Sequence, residues 1–84
     1  MTQREQQLAD YIQGNLLSDP GMTLSAEEPL ITSGLMDSFS IMEVLAFLED
    51  EWGVFIPDQE ATVKQFDSVA KMIEMVGRFE GSVQ

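Results

Sequence analysis

The sequence predicts an all-α fold: a small bundle of three main helices plus a short helix or turn, with a long first loop. Three observations lead there. Apolar residues recur at helical spacing in three separate stretches. Each stretch is preceded by Thr, Asp or Ser, side chains that accept hydrogen bonds from the unpaired N–H groups of a helix start. The one β-like run, Val54-Phe55-Ile56, is short and has no evident pairing partner. The 84 residues are expected to form one domain, 1–84, with a flexible tail over about 80–84.

The first helix opens on a capping box, Thr2 with Glu5 three residues on. Leu8, Tyr11, Ile12 and Leu16 then form a single apolar stripe, and Asp19-Pro20-Gly21 is expected to stop it. Residues 18–36 carry Pro20, Gly21, Pro29 and Gly34 without sustained periodicity, which reads as a long loop. Met22, Leu24, Leu30, Ile31 and Leu35 are its candidate anchors to the core. Asp37 is a good N-cap for a second helix over roughly 38–52, ended by Gly53. Ile41, Val44, Leu45, Leu48 and Trp52 fall on one face and are assigned to the core. The other side carries Phe39, Met42, Glu43, Ala46, Glu49 and Asp50, an apolar and acidic surface.

Val54-Phe55-Ile56 reads as an extended connection into Pro57-Asp58, followed by a short helical turn through Glu60 and Ala61. The last helix is expected to start at Asp67 or Ser68 as N-cap, with Val69, Met72, Ile73 and Val76 on its buried face. Gly77 is a candidate stop, and Phe79 a candidate extension of the packed face.

Composition narrows function by exclusion. Fifteen acidic residues against four basic ones give a net charge of −11, and no Lys or Arg occurs between residues 5 and 63. Such a chain cannot supply the basic patch that nucleic-acid phosphates require, and anionic membrane surfaces are disfavoured for the same reason. Attraction to basic patches on partner proteins fits the charge. No apolar run is long enough to span a membrane, and the start Thr2-Gln3-Arg4-Glu5 does not read as a signal peptide, so a cytoplasmic protein is expected. With no Cys and no His there is no thiolate or imidazole for metal binding or nucleophilic catalysis. Glu49-Asp50-Glu51 is a poor metal site because adjacent helical positions point different ways. The chain is not expected to be an enzyme.

What remains is a hydroxyl, Ser38, at the first turn of the second helix. By itself Asp37-Ser38 reads in two ways. The pair either simply begins a helix, or it is an attachment point for a phosphate-linked group, which the unpaired N–H groups and the helix dipole would favour. The dipeptide does not decide between them.

The wider pattern is Gly34-Leu35-Met36-Asp37-Ser38-Phe39, then Glu43-Val44-Leu45, Leu48-Glu49-Asp50-Glu51-Trp52-Gly53 and Ile56-Pro57. It resembles the phosphopantetheine-dependent acyl carrier proteins, small acidic four-helix bundles, over nearly the whole chain. Carriers of fatty-acid synthesis usually have Leu after the modified Ser and a Gly two residues before the Asp. Here Phe39 follows Ser38, and Gly34 lies three before Asp37. The motif is therefore closer to the stand-alone D-alanyl and other aminoacyl carriers, and to specialised acyl carriers.

The resemblance implies 4′-phosphopantetheine on Ser38, donated by coenzyme A through a phosphopantetheinyl transferase that recognises Asp37. The thiol of the arm would hold an acyl or aminoacyl group as a thioester, loaded by an adenylating ligase and passed to downstream acyl-processing enzymes. It also implies a monomer that docks partners through Phe39, Met42, Glu43, Ala46, Glu49 and Asp50, with residues 18–36 as a mobile part. The rival reading is an unmodified acidic helical interaction module using the same surface.

Overall fold

In the computed structural model, residues 2–17 and 24–80 are described, and over these the chain is all-helical. Four helices occur in the order α1 (Gln3–Asn15), α2 (Ser40–Trp52), α3 (Val63–Phe66) and α4 (Val69–Phe79), with a 3-10 turn at Asp58–Glu60 before α3. Among the described residues there is no β-strand.

The capping box of α1 forms as read: Glu5 N–H donates to Thr2 Oγ1 at 3.2 Å and Thr2 N–H to Glu5 Oε1 at 2.8 Å. The helix buries Leu8, Ala9 and Ile12 and ends at Asn15, ahead of the expected Asp19-Pro20-Gly21 stop, which lies outside the described residues, as does the anchor Met22. α2 buries Ile41, Val44 and Leu48, while Leu45 and Trp52 are only half-buried at the margin of that face. Gly53 closes α2 in the left-handed region at φ 66°, and its N–H donates to Glu49 O at 3.0 Å.

After it Val54 and Ile56 turn inward and Phe55 turns out, an alternation of extended backbone that pairs with nothing. Here the structure adds an element to the sequence reading. Thr62 caps α3, accepting from Gln65 N–H at 3.3 Å, and so delivers Phe66 into the core with no exposure.

α4 packs against α1 and α3. Its N-cap is Ser68, whose Oγ accepts from Lys71 N–H at 3.2 Å. Its buried face is Val69, Met72, Met75 and Val76, with Ile73 half-buried. Gly77 does not end it: the helix runs through to Phe79, since a single Gly costs only about 1 kcal/mol when packing on either side holds the helix. The chain beyond Phe79 is anchored at least as far as Glu80, which ion-pairs with Arg4 of α1. The remainder of the expected tail, 81–84, lies outside the described residues.

An aromatic seam joins α1 to α2. Tyr11 stacks on Phe47 with ring centroids 4.4 Å apart, Phe47 meets Trp52 edge-on at 5.6 Å, and the Arg4 guanidinium sits 5.0 Å from the Trp52 ring centre.

Candidate functional site

The loop that leads to Ser38 is held by one buried carboxylate. Asp67, 8% exposed between α3 and α4, accepts at Oδ1 from the N–H groups of Ile31 (2.7 Å) and Thr32 (3.0 Å), and at Oδ2 from the Thr32 hydroxyl (2.7 Å). Its own carbonyl accepts from Leu30 N–H at 2.7 Å, and Ala70 N–H donates to Ala26 O at 2.7 Å. Burial pushes the Asp67 carboxyl up, but the bonds from Thr32 and Ile31 and the charge of Lys71 outweigh it, leaving the group below its ordinary value. Leu24, Leu30 and Met36 are buried beneath these ties, and Ile31 and Leu35 are half-buried. Gly34 makes the reversal at φ 87°, where a side chain would be strained. Residues 24–36 are thus tied to the α3–α4 junction; the rest of the stretch expected to be mobile, 18–23, lies outside the described residues.

Ser38 follows as the second residue of a tight turn that feeds α2. The N–H groups of Ser40, Ile41 and Met42 donate to the carbonyls of Asp37 (3.2 Å), Ser38 (3.3 Å) and Phe39 (3.1 Å), a 3-10 pattern preceding the α-helical one. Regular α-helix therefore begins at Ser40, two residues later than the sequence suggested. The N-cap of α2 is accordingly Phe39, which makes no side-chain cap bond, and not the expected Asp37. Asp37 instead caps the preceding turn, its Oδ1 accepting from Ser40 N–H at 3.0 Å and from the Ser40 hydroxyl at 3.2 Å. The N–H groups of Ser38 and Phe39 lie ahead of the first of these bonds. Ser38 is exposed, and among the described residues its hydroxyl donates no hydrogen bond.

Asp37, Ser38, Phe39, Met42, Glu43, Ala46, Glu49 and Asp50 are all exposed. Phe39 at 83% and Met42 at 54% are large apolar side chains left in solvent, so neither belongs to the core. From residue 39 to 50 these positions form one outer arc of α2, opposite Ile41, Val44 and Leu48. Its two flanks differ. Met42, Ala46 and Glu49 line a groove of about 220 Å³ with Leu45, Phe55 and Asp58. Glu43 and Asp50 lie on the α1 side, where burial foremost and then these two carboxylates raise the Tyr11 phenol above its ordinary value.

Phe55 and Asp58 were not singled out in the sequence as part of a site, although the in-out-in alternation of Val54-Phe55-Ile56 carries the signal. Phe47, which fills the α1 side, falls between the two faces of the helical reading. Among the described residues no group of three or more acidic side chains is placed to hold a metal ion, and no helix is long and apolar enough to cross a membrane. No protein-family model and no curated protein matches the chain.

Proposed function

We propose that the chain is a carrier protein in which Ser38 bears 4′-phosphopantetheine. The observation that carries this reading is the exposed Ser38 hydroxyl within Gly34-Leu35-Met36-Asp37-Ser38-Phe39, on a turn capped by Asp37 at the head of α2. The residues around it suit the group. The hydroxyl is open to an approaching transferase, and the N–H groups of Ser38 and Phe39 precede the ladder of the turn, a favourable setting for a phosphodiester. In the modification the Ser38 oxygen bonds to phosphorus as a pyrophosphate P–O bond of coenzyme A breaks. Adenosine 3′,5′-bisphosphate leaves, and the hydroxyl proton passes to the transferase. When bound, the arm supplies the thiol that this chain lacks, an acceptor for an acyl or aminoacyl cargo.

The chain's own residues position and present. Asp37 fixes the turn through Ser40, and its outer surface is offered to the modifying enzyme. Phe39, Met42 and Ala46 give apolar contact to partners, with Glu43, Glu49 and Asp50 steering basic ones. The groove beside Met42 is wide enough to shelter part of a cargo and is walled by Leu45, Phe55 and Ile56. The loading ligase and the downstream enzymes would be met through this same surface in turn.

Intact-protein mass before and after incubation with coenzyme A and a broad-specificity phosphopantetheinyl transferase tests the reading. The native chain should gain one phosphopantetheine group and Ser38→Ala none. An unmodified native chain, folded and beside a working control, would leave the rival interaction module, which uses the α2 surface without Ser38.

A further inference from the structure

Composition argues against a basic patch broad enough for nucleic acid, yet the few basic residues of this acidic chain are gathered, not scattered. Four occur in all, and three of them, Lys64, Lys71 and Arg78, line a single groove of about 220 Å³ along α3 and α4. Gln65 and Met75 complete its walls, and the one carboxylate in the lining is Glu74. None of its residues belongs to the α2 groove. The three cations are exposed and, among the described residues, form no ion pair, whereas the fourth, Arg4, is engaged by Glu80. Arg78 lies back along the groove, its Nη1 donating to Met75 Sδ at 3.4 Å. Lys71 lies near enough to Asp67 to help keep that carboxylate ionised.

We propose that this groove docks an extended acidic segment of a partner protein, independently of whether Ser38 is modified. Lys71 and Arg78 stand two turns apart on α4, about 10 Å along the axis. That is more than one small anion spans, and it matches carboxylates three residues apart on a segment in the polyproline II conformation, whose three-residue turn returns them to one face about 9 Å apart. A second copy of this chain, a nucleic-acid duplex or an anionic membrane would bring a broad negative surface against a molecule of net charge −11. A narrow acidic segment meets only the groove. The chain would then offer two faces of opposite sign: α2 for basic partners and α3–α4 for an acidic one.

The test is a titration of isotopically labelled protein with a synthetic Glu-Ser-Ser repeat peptide, followed by amide chemical shifts, with Gln-Ser-Ser as control. Saturable shifts confined to about residues 64–78 are expected, fading as salt is raised. Affinity should fall about ten-fold in Lys64→Gln/Lys71→Gln/Arg78→Gln, and persist in Lys64→Arg/Lys71→Arg and in Glu43→Gln/Glu49→Gln. The shift map on the native chain stands even if the triple variant folds poorly. Several outcomes would overturn the proposal: no saturation, shifts that map elsewhere, or equal binding by the Gln peptide. So would equal perturbation by inorganic tripolyphosphate or phosphatidylserine vesicles, or self-association that the triple variant abolishes. None of these readouts involves Ser38, so failure here leaves the carrier reading intact.

Discussion

Asp67 and Ser38 divide the work of the loop between them, the first holding it and the second presenting itself at its end. Three hydrogen bonds converge on a carboxylate that is 8% exposed, so Asp67→Ala would strand the N–H groups of Ile31 and Thr32 and should cost about 2–3 kcal/mol in denaturant melts. The pH dependence follows from the direction of the shift. The folded-state value lies below that of the unfolded chain, about 3.9, so the contribution is complete above that pH. It is lost as pH falls through the lower folded value. Asp67→Asn should therefore flatten the acid limb of a stability profile below about pH 4, leaving the neutral-to-alkaline side parallel to the native curve. If the chain is the carrier proposed above, Glu43→Lys or Glu49→Lys at the α2 surface should slow transfer to partner enzymes and weaken its salt dependence with little change in melting temperature. Unchanged transfer rates would remove that surface from the docking account.

Each helix owes its ends to local chemistry and its existence to packing. Two glycines make opposite predictions. Gly77 lies inside α4 with open space where a Cβ would go, so Gly77→Ala should stabilise by about 0.5–1 kcal/mol. Gly53 closes α2 at φ 66°, so Gly53→Ala should destabilise by about 1 kcal/mol although nothing obstructs its Cβ. Thermal melts of the pair decide both. α3 is a single turn and depends on its cap: Thr62→Ala should cost about 1 kcal/mol. The Thr62-Val63-Lys64-Gln65 spacing is itself a capping-box pattern, so this helix was readable. Its four residues are too few to show a period, which is why the apolar pattern passed over it.

Across the whole molecule, α1 and α4 are joined at their outer ends by Arg4 and Glu80, with Trp52 of α2 beneath the guanidinium. Arg4→Ala should shift the emission of the chain's single Trp and speed amide exchange at the end of α4, leaving helix content unchanged. The three long helices were legible because each carries an amphipathic period and a capping residue, both properties of neighbouring residues. Val44 and Leu48 could be placed in the core on those grounds alone. So could the surface position of Ser38, which rests on the Asp37 cap. Contacts between residues far apart in the chain carry no such periodic mark. The clamp from Asp67 to Ile31 and Thr32 spans more than thirty positions, and one Asp beside a Ser gives only a helix start. Lys71 and Arg78 share one face of α4 by their seven-residue spacing, but bringing Lys64 to the same groove likewise awaited the packing of α3 on α4. Local hydrogen bonding and hydrophobic period are written in sequence spacing; which distant polar groups meet depends on how the helices pack, and only the tertiary structure decided that.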